Sequence, residues 1–561
     1  LSLPHLSLLV NAGVLATFWI ALAFLTPRIF RRFRDVSPWT WLALGVLLAV
    51  QATVIKPLIP HTVFFSNNHG IDVAAIYRDT RVFVDVQTFA EVYGNTFWAT
   101  LGWVQLLPRP PTLYDVNFAM SQVSLVAVFL LVLSLFRSQS LSLLSALMLA
   151  WLPVRLRISV SESMFISAEL YLVLALLLLV LFLQTEDFAY LVLDLVAIYL
   201  LVEARVEFML LGPLVIVALL VATRPRKLGL IFRTPLTWVT LAVLAALFVP
   251  RALVVLGAMG RNQMYTMVPT YMFHFDHGWL GPFNVFFARA YTPLVYIALF
   301  AVGTVAMAFA NRRMLGFLTF SWVAMTFVFS KYYFTVSCYI RRTIPVQFLL
   351  VILAAFGAWF LLRLTAGRPR LRAAAATGLV ALLAVSVLGH RDFLGRLYTM
   401  QQEHAFLERV RAVLPPDAPV VYRADEDDAY IPHALNRETL LSRWYQGRFL
   451  QRDSGADQVL SIRRFEAEAD RRIREGAFAY LGAPCYKLQG IDRSRPRAPR
   501  RGPDVPDYVD PACARLREAY VLQPVLEQPI NGPSLGFEYE RIQGSNRPIG
   551  LYRILGRKDG P

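Results

Sequence analysis

The chain has 561 residues, 57% of them hydrophobic and only 17% charged, with a mean hydropathy of +0.50. That excludes an ordinary soluble protein of this size, in which about a quarter of residues are charged. The net charge of +17 does not argue for a nucleic-acid partner, because much of the excess sits in short clusters between apolar runs, where it sets topology.

Apolar runs of about 17–22 residues recur along the chain, the length that crosses a hydrocarbon core of ~30 Å. They predict a polytopic α-helical membrane protein with about twelve transmembrane helices. The expected spans are 6–27, 39–58, 116–136, 140–154, 164–183, 188–204, 207–223, 235–257, 289–310, 314–330, 343–363 and 372–389. Under this reading Arg28 to Arg34, Arg137, Arg224-Pro225-Arg226-Lys227, Arg312-Arg313 and Arg363 through Arg372 fall in alternate loops on one side. The positive-inside bias makes that side cytoplasmic. Loops 59–115 and 258–288, and everything from about 390 onward, then face outward. The N-terminus starts outside as well. Its long first apolar run, followed by Arg28, Arg31, Arg32 and Arg34, does not read as a cleavable signal peptide. An initiator Met is lacking, which leaves an earlier segment open.

The first outer loop opens on Ser66-Asn67-Asn68-His69-Gly70-Ile71-Asp72, directly after an apolar run. Asp72 lies nearest the membrane exit of a span. Partial desolvation there suits a base that takes a proton from an acceptor hydroxyl. Tyr77, Arg78, Asp79, Arg81 and Asp85 follow, then aromatics through Trp98 and Trp103. Such a mixture suits an interfacial helix with Trp at headgroup depth. Any one of these acids also reads as part of a solvated loop.

Further along, Arg155 and Arg157, with Glu162, occupy another outer turn. Asp194, inside a span, is costly unless it faces the protein interior and bonds a neighbouring helix. Arg205, in Glu203-Ala204-Arg205-Val206-Glu207, is either a phosphate ligand or the partner of its glutamates. His274, Asp276 and His277 in the next outer loop could ligate a divalent cation. Their spacing matches no standard metal site and suits a plain polar loop. Arg341 and Arg342 close the outer stretch from Tyr332, Tyr333 and Phe334. Two outer arginines run against the charge bias; their guanidinium forks match phosphate oxygens or snorkel to lipid headgroups. No phosphate-cradling glycine loop, Ser-His-Asp set or zinc motif stands out.

From about 390 the character changes, and residues 390–561 read as a soluble α/β domain large enough for its own core. Leu397 to Leu414 predicts an amphipathic helix with Phe406, Leu407, Val410 and Val413 on one side, stopped by Pro415-Pro416. Val420 to Tyr422 reads as a strand. Phe537 to Ile542 and Ile549 to Ile554 flank Gly544-Ser545-Asn546 as a hairpin. Arg493 to Pro511 reads as an exposed loop. Asp425-Glu426-Asp427-Asp428 lacks calcium-loop spacing. Cys485 and Cys513 either pair, if the domain faces an oxidising compartment, or remain two thiols.

The order of these elements resembles the GT-C superfamily of integral membrane glycosyltransferases, which includes protein O-mannosyltransferases and lipid A aminoarabinose transferases. Asp72, in His69-Gly70-Ile71-Asp72, stands where that superfamily carries a catalytic acid in its first outer loop. The likeness continues through Ser159-Val160-Ser161-Glu162-Ser163, Ala204-Arg205-Val206-Glu207 and Arg341-Arg342-Thr343-Ile344-Pro345, and covers about 39–365. It departs where Val73 follows Asp72, since the superfamily pairs two acids there, and in an extra span ahead of the core.

The resemblance implies a transmembrane catalytic module over 1–389 and an extracytoplasmic domain over 390–561, in a bacterial inner membrane. It implies inverting sugar transfer from a polyprenyl-phosphate-linked donor to a protein, lipid or glycan acceptor on the outer face, among membrane lipids. Asp72 would be general base. Arg341, Arg342, Arg205 and Tyr333 would hold the donor phosphate. His69, Asp79, His274, Asp276 and His277 would line the acceptor side. No cofactor is required, although a divalent cation at the outer loops stays open. An O-antigen-ligase or polymerase-like enzyme would also use outer histidines and arginines. A transporter or flippase of lipid-linked saccharides would place its binding groups near mid-membrane.

Overall fold

The computed structural model describes residues 3–61, 95–161, 163–205, 208–223, 228–259, 286–287, 289, 291–331, 336–395, 399–415, 418, 420–422, 470–471, 476–482, 485, 511–529 and 548–558. The chain falls into two compact units: Leu1–Pro60 with Tyr77–Gly395, and His61–Ile76 with Arg396–Pro561.

The first unit is helical. It begins with α1 (Leu3–Arg32), α2 (Pro38–Val50), α3 (Asn95–Gln105), α4 (Leu113–Phe136), α5 (Gln139–Ala150), α6 (Pro153–Ser159) and α7 (Phe165–Thr185). It continues with α8 (Phe188–Ala204), α9 (Phe208–Thr223), α10 (Leu228–Arg233), α11 (Pro235–Met259), α12 (Leu294–Ala310), α13 (Arg312–Lys331), α14 (Val336–Leu364), α15 (Pro369–Leu388) and α16 (Arg391–Gly395). Among the described residues, seven helices are long and apolar enough to cross a membrane, or eight if the bent pair α5–α6 is one span.

Local chemistry sets several boundaries. Ser37 caps α2 ahead of Pro38, and Thr112 and Asp115 form a reciprocal capping box on α4. Arg137 ends α4 in a left-handed conformation, and Ser138 caps α5 at once. A link this short makes α4 and α5 close neighbours. Past Val50 the chain continues as a π turn (Gln51–Ile55) and a 3-10 turn (Lys56–Leu58). Gln51 is buried there, donating to the Ala150 carbonyl at 2.8 Å and accepting from Gln122 at 2.6 Å.

Packing runs outward from α7, whose side chains are buried from Phe165 to Leu183. A helix apolar on all sides belongs at the centre of a bundle. Helices α2, α11 and α15 lie at the rim and expose Leu42, Val46, Val243, Leu253, Val385 and Leu388. In water such a surface would drive aggregation; lipid is its natural solvent. Helices α12 and α14 approach most closely where both carry glycine. A Cβ on Gly303 would collide with the Leu353 carbonyl, and one on Gly357 with the Leu299 carbonyl. Small residues at such a crossing are a membrane packing device.

The second unit contains α17 (Thr399–Val413), β1 (Val420–Tyr422), β2 (Phe478–Leu481), α18 (Pro511–Ala519), β3 (Tyr520–Gln528) and β4 (Ile549–Arg557). Its sheet runs β1-β2-β4-β3, with β1 parallel to β2 and the other pairs antiparallel. Phe406, Leu407 and Val410 of α17 pack with Val421, Tyr480, Leu551 and Ile554. Cys485 and Cys513 are joined by a disulfide.

Several expectations are adjusted. The stretch 140–154 breaks by 65° between α5 and α6, because Trp151-Leu152 precedes Pro153, which starts a new helix. The residues expected to form an interfacial helix include α3, yet Trp98 is fully buried and Asn95 donates to Ser7 at 2.5 Å. Trp103 keeps a partly exposed ring and donates to the Ala12 carbonyl at 3.0 Å. Val413 is exposed and Leu414 takes the inward position instead. Strand β4 pairs with β2 and β3. Its expected hairpin partner Phe537–Ile542, the expected loop from Arg493 up to Pro511, where α18 begins, and Asp425–Asp428 lie outside the described residues.

Candidate functional site

The arginines separate the two ends of the helical unit. At one end Arg28 ion-pairs with Asp187 at 3.7 Å, and Arg32 donates to Gln184 at 2.6 Å. Gln184 in turn reaches the Ser134 carbonyl, and Gln139 reaches Thr40 and Ser37. Arg28, Arg31, Arg32, Arg34, Arg137, Arg312, Arg313, Arg363, Arg368, Arg370 and Arg372 are all exposed. These are the basic loops that the sequence places together.

At the other end the guanidinium groups are inside. Arg155 is 0% exposed, Arg157 1%, Arg205 3% and Arg251 2%. A buried guanidinium is stable only when paired or fully hydrogen-bonded, and each has been given partners.

Arg155 and Arg157 come from α6, the seven-residue helix after the 65° break. Two positions apart on a helix, they point in nearly opposite directions (about 200°). Arg155 reaches inward to Glu169 of α7, with Nε at 2.9 and 3.1 Å from its two oxygens and Nη2 at 2.7 Å. Nη2 also donates to the Ser121 carbonyl at 2.9 Å, and Ser124 donates to Glu169. This fork geometry is the strongest form of ion pair. Arg155 Nη1 has no hydrogen-bond partner among the described residues. Arg157 donates instead to the main-chain carbonyls of Pro60 and Leu394.

The loop between α6 and α7 is fixed from α4. Asn117 Nδ2 donates to the Ser161 carbonyl at 2.6 Å and the Ser163 carbonyl at 3.1 Å. Arg205 follows α8 and lies over the Phe165 ring, 4.5 Å from its centre, with Nη1 3.6 Å from Met164 Sδ. Glu203, two residues earlier, faces Arg251 of α11 at 3.9 Å, both buried. Asn11 donates to Thr96, and Thr96 to the Leu200 carbonyl, tying α1, α3 and α8 together at this end. Lys56 pairs with Asp115 and lies 5.0 Å from the Phe118 ring centre.

Of the residues expected to carry chemistry, Arg205 is described and takes its place in this polar end. Arg341 and Arg342 fall inside α14 rather than in a loop before it. Helix satisfies the backbone through the headgroup region, so the helix starts ahead of the apolar run. Pro345 has no N–H to give the Arg341 carbonyl. Asp72, His69, Asp79, Tyr333, His274, Asp276 and His277 lie outside the described residues. Asp194 is buried, as its position in a span demands, and its Oδ1 has no partner among the described residues. No cluster of His, Cys, Asp or Glu that could hold a metal occurs among the described residues.

Sequence reading passed over Glu169, Arg251, Lys56 and Asn117. A signal was present: an ionisable residue inside an apolar run marks an interior partner by its cost alone. Chemically, this end gathers buried guanidinium groups, with Arg155 and Arg251 facing carboxylates of their own, in low-dielectric surroundings where each contact counts for more than in water.

No protein-family model matches the sequence, nor does any curated protein. Solved structures do match. ArnT from Cupriavidus metallidurans in its apo state is 14% identical with a TM-score of 0.56, over 92% of this chain and 97% of that one. The same ArnT bound to undecaprenyl phosphate matches at 13% identity and a TM-score of 0.53, over 92% and 98%. AglB, the oligosaccharyltransferase of Archaeoglobus fulgidus, matches in complex with an inhibitory peptide and a dolichol-phosphate. It is 11% identical with a TM-score of 0.51, over 79% of this chain and 69% of that one. ArnT and AglB are both GT-C membrane glycosyltransferases, and the chain has their fold.

Proposed function

We propose that the chain is a membrane glycosyltransferase that moves a sugar from a polyprenyl-phosphate-linked donor to an acceptor on the outer face of the membrane. The observation that carries this reading is the fold shared almost end to end with ArnT, in a form bound to undecaprenyl phosphate. The likeness to AglB with a dolichol-phosphate supports the same donor class. The Cys485–Cys513 disulfide favours an oxidising compartment for the C-terminal residues. In this reading 1–389 form the catalytic module and 390–561 an extracytoplasmic domain, in a bacterial inner membrane.

The chemistry is a single displacement. Asp72 takes the proton of the acceptor hydroxyl, whose oxygen bonds to the anomeric carbon from the face opposite the phosphate. The anomeric C–O bond breaks, polyprenyl phosphate leaves with the electron pair, and the configuration inverts. Arg341, Arg342 and Arg205, with Tyr333, hold the phosphate and balance the charge that develops on it. His69, Asp79, His274, Asp276 and His277 line the acceptor side, where the acceptor is a protein, lipid or glycan.

The test uses the full chain in nanodiscs with lipid-linked sugars extracted from its host. Asp72→Asn should lower transfer by about 10²–10⁴-fold, the range for a general base, while donor binding is kept. Full activity in that variant removes Asp72 as the base. Arg341→Ala should weaken donor binding, and unchanged affinity makes it a lipid anchor.

A further inference from the structure

The helical unit passes the chain to the second unit after Pro60 and again after Gly395. One guanidinium addresses both places. Arg157 Nη1 donates to the Pro60 carbonyl at 3.5 Å, the long limit of a hydrogen bond, and closely to the Leu394 carbonyl. A shared donor nitrogen keeps those two oxygens within ~6 Å of each other. The side chains around this point converge as well. Ile59 and Leu394 belong to one buried cluster with Leu156, Val160, Phe118 and Val387.

Helix α6 is itself anchored from inside, since Arg155, two residues earlier, is locked to Glu169. It therefore presents Arg157 to the two connections as a fixed post. A guanidinium that is 1% exposed and donates to the Pro60 and Leu394 carbonyls is placed to hold backbone.

We propose that Arg157 is a positioning residue, clasping the two connections so that the segments beginning at His61 and at Arg396 start from one fixed point on the helical unit. The functional consequence rests on the glycosyltransferase reading. The segment from His61 leads in sequence to Asp72, so the clasp fixes where the stretch that carries the base leaves the helical unit. Transfer then depends on Arg157 through the backbone that it holds.

The experiment uses the full chain in nanodiscs, with Cys338→Ser removing the remaining unpaired thiol and Pro60→Cys and Gly395→Cys flanking the clasp. The rate of linking by a short bis-maleimide is followed by mass spectrometry of the joined peptides. Arg157→Met should slow linking about tenfold, the scale of one lost charge-assisted hydrogen bond, with Arg157→Lys intermediate. An unchanged linking rate in Arg157→Met overturns the clasp. Should Arg157→Met fail to fold, the Lys variant carries the same comparison.

In the transfer assay Arg157→Met should lower kcat with the donor KM unchanged, and joining the two introduced thiols should restore it. A linked Arg157→Met protein that stays slow while the linked parent turns over overturns the positioning role. If the parent transfers no sugar, the glycosyltransferase reading fails, and the linking rates still decide the clasp.

Discussion

Removing the Arg155 side chain by Arg155→Met strips Glu169 of three charge-assisted contacts and, among the described residues, leaves it the Ser124 hydroxyl. Both residues are 0% exposed, so no water takes over. Breaking a buried pair by deleting one member costs about 3–5 kcal/mol, because a lone buried charge remains. Deleting both members is different. In Arg155→Met with Glu169→Leu the cavity is refilled by apolar atoms, and buried pairs replaced in this way often lose nothing. The assay is equilibrium unfolding in mixed detergent, read by tryptophan fluorescence, across the four proteins of a double-mutant cycle. The expected pattern is a single variant down by about 3–5 kcal/mol and a double variant recovering most of it. A single variant within ~1 kcal/mol of the parent would refute the argument, as would a double variant no more stable than the single.

Gly357→Leu should separate α12 from α14, since even a Cβ meets the Leu299 carbonyl; a loss of about 1–3 kcal/mol or failure to assemble is expected, measured by thermal melting in detergent. Cys485→Ser should destabilise the C-terminal unit by about 3–4 kcal/mol, from the chain entropy of a 28-residue separation, read as faster proteolysis of that unit. Thr112→Ala should cost ~1 kcal/mol by opening the capping box of α4, seen in the same melting assay. Each fails on a result indistinguishable from the parent.

What the sequence disclosed follows from how each signal is encoded. Apolar runs are written in contiguous residues, so helices lie on every stretch expected to span. The exposure of the loop arginines is equally local, because loop charges sit beside the runs that they orient. Interior partners are long-range and were harder to see. Nothing near Glu169 in the sequence names Arg155, since the two meet only after Pro153 turns α6 back toward the bundle. Arg157 reads as a surface residue in a turn, and no sequence pattern marks the main-chain carbonyls of Pro60 and Leu394 that it bonds. Arg341 and Arg342 were assigned to a loop because apolarity ends before them, whereas helix extends as long as its own hydrogen bonds are made. In the C-terminal unit, α17 and β1 were legible from amphipathic period and β-branched content. The neighbours of β4 were not, because strand order depends on residues about 30 and 70 positions away.

The π turn after α2 acts as a phase shifter. Along α2 the inward stripe runs Thr40, Leu44, Leu47, Gln51. In an uninterrupted α-helix Lys56, five residues after Gln51, would lie ~140° around the axis from that stripe, on the side of Leu42 and Val46. A turn bonded i to i+5 nearly aligns residues five apart, and Lys56 N–H does bond the Gln51 carbonyl. One surplus residue thus rotates an ammonium group out of the acyl chains and onto Asp115. Rewinding Gln51–Ile55 as a regular α turn of the same length would turn that charge back toward the oil.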